Sequence, residues 1–187
     1  IKNKNISIDE IYDIVFKNKK LFLSKTVISN INKSRSFLEK KIRDENKPFY
    51  GINTGFGDLH NVKIDDDNLE LLQSNLLRSH ACGTGEKVES NIVKLMMLLK
   101  IISLSKGFSG IKLETVERLL FFYNNNIFPV VYKYGSLGAS GDLSPLAHMS
   151  LPIIGEGEVE YKGKVYNSKK VLKKYSLKKI SLGLKEG

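Results

Sequence analysis

The chain has 187 residues, 41% of them hydrophobic and 27% charged, with a formal net charge of +10 at pH 7. That length supports one sizeable apolar core with at most a small satellite, and the composition is that of a globular chain, not a disordered or fibrous one. The lysines are spread in ones and twos from Lys2 to Lys185, and their densest stretch, Lys162 to Lys179, holds no nucleic-acid motif. The charge therefore reads as solvated surface, and no nucleic-acid partner is expected.

In chain order, Ser7-Ile8-Asp9-Glu10 is a capping box that opens a short helix through about Lys17. From Ser24 to Asp44, Val27, Ile28, Ile31, Phe37, Leu38 and Ile42 recur at helical spacing until Pro48 stops them. Gly51, Gly55 and Gly57 make the next segment a loop, able to bring Tyr50 close to a ligand. Asp65-Asp66-Asp67 suits the positive end of a following helix, which runs through Leu69, Leu72, Leu76 and Leu77 to His80 and stops at Gly83 and Gly85. Ser90 to Lys106 is a strongly apolar helix, and Leu113 to Asn124 a second, broken by Asn124-Asn125-Asn126 and barred by Pro129. Glu158 to Tyr166 alternates around Lys162-Gly163, a small hairpin, and Ser168 to Tyr175 forms a last short helix. The expected fold class is mainly α with one minor hairpin.

Several classes of function drop out. No apolar run spans a bilayer, since Leu95 to Leu104 is interrupted by Lys100. Ile1-Lys2-Asn3-Lys4-Asn5 is no secretory signal, and Cys82, the one cysteine, suits a reducing cytoplasm. Cys82 is read as a small buried residue. His60, His80 and His148 are too scattered for a zinc site, and His148, among Leu146, Ala147 and Met149, reads as a satisfied structural histidine.

The run Gly135-Ser136-Leu137-Gly138-Ala139-Ser140-Gly141-Asp142-Leu143-Ser144-Pro145 carries the chemistry. The Gly141 amide nitrogen can attack the Ala139 carbonyl carbon and close a five-membered ring. The nucleophilic residue must lack a Cβ and the attacked one must be small. Loss of one water from that ring closure and a second from the Ser140 hydroxyl leaves an exocyclic methylidene, an electrophile that no ordinary side chain supplies. Asp142 to Pro145 reads as the first turn of a helix whose free N–H groups stabilise negative charge in the ring. The same residues also suit an ordinary loop with a Ser or Asp cap.

This run resembles the signature of the histidine and phenylalanine ammonia-lyases, which build a 4-methylidene-imidazol-5-one (MIO) group from an internal Ala-Ser-Gly. Tyr50-Gly51-Ile52-Asn53-Thr54-Gly55-Phe56-Gly57 is similar to the family's tyrosine-bearing loop. Leu71 to Glu86, containing Ser79-His80, is similar to its substrate-selecting segment, and Ile154-Gly155-Glu156-Gly157-Glu158 sits where the family has such a run. The resemblance covers about Ile6 to Gly187 and implies the N-terminal portion of the L-aspartase-like helical fold.

What the resemblance implies is specific. Tyr50 would remove the β-proton of the substrate, which requires donors or positive dipoles that favour its phenolate. Ser79-His80 matches the histidine-specific members, where a polar side chain meets an imidazole; Phe-Leu or His-Leu would point to phenylalanine or tyrosine. Ala139, Ser140 and Gly141 would form the MIO, with Asp142 holding the ring or its neighbours or acting only as a cap. Asn53, Gly57 and Gly138 would support the loop shapes. The reaction would be non-oxidative loss of ammonia from L-histidine to urocanate, with no metal and no diffusible cofactor. Residues 1–110 would carry the tyrosine loop and Ser79-His80, and 111–187 the Ala-Ser-Gly loop and hairpin of the central helical region. Family members continue past Leu184-Lys185-Glu186-Gly187 into an Asn-Gly-Thr run and a long helical region that completes the site in a homotetramer. An N-terminal piece, inactive alone and prone to self-association, is the expectation. A tyrosine or phenylalanine ammonia-lyase, an aminomutase, and a truncated non-catalytic assembly partner stay open as alternatives.

Overall fold

A computed structural model describes residues 1–2, 5–45, 47–65 and 68–187. Seven α-helices form the framework of the described chain: α1 (Ile8–Phe16), α2 (Lys25–Glu45), α3 (Leu69–His80), α4 (Ser90–Leu104), α5 (Leu113–Asn124), α6 (Leu143–Ser150) and α7 (Ser168–Lys174). Five short strands join them: β1 (Thr84–Lys87), β2 (Ile127–Pro129), β3 (Tyr132–Tyr134), β4 (Glu158–Tyr161) and β5 (Lys164–Asn167).

The local signals act as their chemistry requires. Ser7 and Glu10 exchange both bonds of a capping box at the start of α1. The hairpin β4–β5 turns on Lys162 and Gly163, both with positive φ (53° and 71°), in the twist that suits a two-residue connection. Asn124 ends α5 by turning outward: its Oδ1 accepts from Leu21 N at 2.8 Å and its Nδ2 donates to Leu21 O at 2.9 Å. The Asp65-Asp66-Asp67 expectation falls partly on Asp66 and Asp67, which lie outside the described residues; α3 begins at Leu69 behind Asn68.

The sheet is larger than the expected hairpin. β2 adds to β4 antiparallel, with Ile127 opposite Tyr161 and Pro129 opposite Val159, giving the order β2-β4-β5. A second antiparallel ribbon pairs β1 with β3, Thr84 opposite Tyr134 and Lys87 opposite Tyr132. Cys82, expected buried, is exposed, because the chain leaves α3 at His80 and runs over the surface into this ribbon.

The core centres on α4, where Val93, Met97, Leu98 and Ile101 are sealed from solvent and pack on Val116, Leu119 and Phe122 of α5. Around them one apolar cluster runs from Val15 to Leu182 and joins the first and last elements. None of the helices is long and apolar enough to cross a membrane among the described residues.

Candidate active site

The tyrosine loop is braced from within. Asn53 is buried; its Oδ1 accepts from Phe49 N at 2.7 Å and its Nδ2 donates to Lys47 O at 3.0 Å. Thr54, also buried, accepts from Gly51 N at 3.2 Å and donates to Gly55 O at 2.9 Å. These bonds set the loop's path and leave Tyr50 65% exposed, its ring edge-on to Phe56 at 5.8 Å. Gly57 opens a 3₁₀ turn, Gly57–Leu59, behind Phe56.

His80 is the last residue of α3. Its Nδ1 lies 2.8 Å from Leu76 O and 3.2 Å from Ser79 Oγ, while Ser79 Oγ itself donates to Leu76 O at 2.8 Å. A carbonyl oxygen only accepts, so this geometry puts the neutral imidazole's proton on Nδ1 and leaves a lone pair on Nε2. Such an imidazole can accept an N–H from a ligand. Two residues earlier in the helix, Arg78 grips Glu156 with Nη2 to Oε1 at 2.6 Å and Nε to Oε2 at 3.0 Å. That pair holds the Glu156 carboxyl below the usual carboxylate range and ties the end of α3 to the turn before β4.

The Ala-Ser-Gly segment forms a 3₁₀ turn, Gly138–Ser140, whose next residue, Gly141, has φ 92° and donates its N–H back over Ala139 to Gly138 O at 3.3 Å. Asp142 follows with φ 47°, so two successive left-handed residues reverse the chain. A Cβ at Gly141 would meet nothing within 4 Å, so glycine is favoured there by its φ of 92° and not by space. An MIO fits these residues: the amide that must be the nucleophile already folds back past the carbonyl that must be attacked. Asp142 does not cap α6 with its side chain, as one reading of the sequence expected; its Oδ1 accepts from Ser136 Oγ at 2.7 Å. Backbone curvature puts Asp142 in the left-handed region and turns its carboxylate toward Ser136 instead.

A cavity of about 510 Å³ opens between these elements. Phe56, His80, Lys100, Ser109, Leu143 and Glu186 line it, so the tyrosine loop, the end of α3 and the start of α6 share one space. Tyr50, Ser79, Ala139 and Gly141 are not among its lining residues. Its size suits an amino acid. Lys100 and Glu186 were not singled out as site residues from sequence. Lys100 interrupts an apolar helix on the Val93–Met97 face, and burial pushes its ammonium pKa down. The Glu186 carboxylate, fully buried, accepts from Lys112 N and Thr115 Oγ1, each at 2.9 Å, and from Gly183 N at 2.7 Å. Only the lone charge inside an apolar run signalled Lys100, and nothing in Leu184-Lys185-Glu186-Gly187 marked Glu186.

Behind the cavity, His148 Nε2 accepts from Gly83 N at 2.9 Å, and burial lowers the imidazole's pKa. This is the satisfied histidine the sequence led us to expect. Among the described residues no group of three or more His, Cys, Asp or Glu side chains is placed to hold a metal ion.

The family model for aromatic amino acid lyases matches residues 6–187. Histidine ammonia-lyase 2 of Fusobacterium nucleatum is 46% identical over the whole chain, and the histidine ammonia-lyase of Shewanella woodyi 47%. In each case the chain spans 36% of the relative's length. Among solved structures, histidine ammonia-lyase from Trypanosoma cruzi superposes with a TM-score of 0.85 at 33% identity, covering 97% of this chain and 34% of that one. The phenylalanine aminomutase of Pantoea agglomerans gives 0.91 at 32%, covering 98% and 35%. The helical architecture is thus that of these enzymes' N-terminal part, and the chain belongs to the aromatic amino acid lyase family.

Proposed function

We propose that the protein to which this sequence contributes removes ammonia from L-histidine without oxidation and releases urocanate. The observation that carries the reading is His80, lining the shared cavity with Nδ1 committed to Leu76 O and a lone pair on Nε2. That lone pair accepts the N–H of a substrate imidazole, and a phenyl ring offers no such donor. Ser79 supports it by holding the same carbonyl. Histidine ammonia-lyases at 46–47% identity favour the same substrate, whereas the phenylalanine aminomutase stands at 32%.

An MIO made from Ala139, Ser140 and Gly141 supplies an electrophilic methylidene carbon, which makes the substrate amine a better leaving group or its β-proton more acidic. The chain's own residues do the rest. Tyr50, reachable at the loop surface, accepts the β-proton at its phenolic oxygen. The opening N–H groups of α6 favour negative charge beside the tripeptide. Asn53, Gly57, Gly138 and Asp142 keep the two loops in shape. The division near residue 110 is one of contributions to the site, since a single apolar cluster joins both parts. The reading carries with it a cytoplasmic homotetramer in which the remaining length of the relatives completes the site.

The test is the complete protein offered L-histidine, L-tyrosine and L-phenylalanine, with product followed by ultraviolet absorbance. Urocanate as main product, abolished by Ser140→Ala, is the expected result, and His80→Leu should shift preference toward the aromatic substrates. Preference for tyrosine or phenylalanine in the unaltered enzyme refutes the histidine reading.

A further inference from the structure

The segment that follows His80 meets the helix that follows Ala139–Gly141 at His148. There the Gly83 N–H donates to His148 Nε2 at 2.9 Å. A backbone N–H only donates, so this nitrogen must be unprotonated and the neutral ring must carry its proton on Nδ1. The place has no slack. A Cβ on Gly83 would stand 2.9 Å from His148 Nε2 and 3.2 Å from Ser144 Oγ, and a Cβ on Gly135 would stand 2.9 Å from Gly83 Cα. Three stretches of chain therefore meet at a contact that only glycines allow. Tyr132 closes another side of the imidazole, edge-on at 5.1 Å.

We propose that His148 is a positioning residue for the substrate site, its neutral imidazole fixing the His80 end of α3 against the helix that starts at the Ala139–Gly141 turn. The proposal rests on the functional reading above for its catalytic consequence, but its structural content stands apart from it. Gly83 lies three residues beyond His80, and His148 six residues beyond Asp142. The hydrogen bond thus adds a polar tie between the two half-sites to the direct packing of α3 on α6. Protonated His148 has no lone pair at Nε2 and would set a donor against the Gly83 donor. Among the described residues, no ion pair to the ring offsets that: Ser144, Tyr132 and the Gly83 backbone lie around it, Arg78 of α3 pairs with Glu156, and Lys133 and Glu86 on the β3–β1 ribbon pair with each other, both at 2.6 Å. A displacement of about 1 Å in a substrate-orienting group is enough for roughly a hundredfold loss of rate.

The first arm uses the complete enzyme, labelled with nitrogen-15 in histidine and glycine, and NMR. The expected result is an Nδ1–H tautomer for His148 that persists below pH 6.5, with Gly83 and His80 amide shifts that move together when the ring titrates. In His148→Leu both amides should shift, and in His148→Gln, whose Oε1 can accept from Gly83, they should return toward the unaltered positions. Because the pH titration needs no substitution, the test holds even if His148→Leu does not fold. The second arm uses the complete enzyme. His148→Leu should raise KM for histidine more than it lowers kcat, with a ten- to hundredfold loss in kcat/KM. His148→Gln should recover most of it and lose the acid limb that the unaltered enzyme shows below pH 6.5. A proton on Nε2 at neutral pH, or a His80 amide indifferent to His148 titration, overturns the proposal. A complete enzyme inactive on histidine, with the NMR results as expected, overturns the functional reading and leaves the positioning contact standing.

Discussion

Lys94 is the buried cation on which the docking of α1 depends. It is 4% exposed in the second turn of the core helix α4. Its Nζ donates to Val15 O at 2.9 Å and to Asn18 Oδ1, and it stands 5.5 Å from the centre of the Tyr123 ring. Val15 O belongs to the last turn of α1, where carbonyls have no partner within the helix. Replacement by methionine keeps the aliphatic length and removes the donor. Stranding the buried Val15 carbonyl costs about 1–3 kcal/mol, and losing a cation at a helix C-terminus about 0.3–1 kcal/mol more. Asn18 is exposed and recovers water, and the thioether regains apolar contact, so the net loss is about 1–3 kcal/mol. At this chain length that lowers the melting midpoint by roughly 2–12 °C. Circular dichroism melts of Lys94→Met and the unaltered chain give the midpoint, and native-state hydrogen exchange should show α1 amides losing protection before those of α4 and α5. A methionine variant as stable as the parent would refute the reasoning, since the ammonium would then be only an uncompensated burial.

Lys100, two turns further along α4, should respond in the opposite direction. Burial disfavours its charge, and it has no hydrogen-bond or ion-pair partner among the described residues, so Lys100→Met should raise the melting midpoint of this chain by a few degrees. Stability should also fall in mild acid through His148. Its folded pKa lies below 6.5, so its contribution is complete above about pH 6.5 and lost as pH drops through the folded value. Denaturant titrations between pH 7.5 and 5 check the slope, which His148→Gln should flatten. Gly141→Ala sets a side chain at φ 92°, a strain of roughly 1–2 kcal/mol with no clash to relieve. It should also prevent ring closure, so the intact mass of the complete protein should lose two waters in the parent and none in the variant.

The sequence by itself determined the features whose cause is local. The capping box at Ser7 and Glu10, the helix Leu113–Asn124, the turn at Lys162-Gly163 and the strain-tolerant Gly141 each depend on neighbours within a few residues, and each is found where the pattern put it. The order Tyr50, Ser79-His80, Ala139-Ser140-Gly141 came from resemblance to the ammonia-lyases, and no local period marks it. Tertiary structure alone decided the rest. β1, β2 and β3 are three or four residues long and gain their hydrogen bonds from partners tens of residues away, so no local period marks them. The same ribbon put Cys82 in solvent and brought Gly83 under His148. Lys94 and Lys100 sit six residues apart in one apolar helix and look alike in sequence. Only the fold gives one a helix end to cap and leaves the other facing a cavity, because a charge acquires its meaning from the groups that distant parts of the chain bring to it.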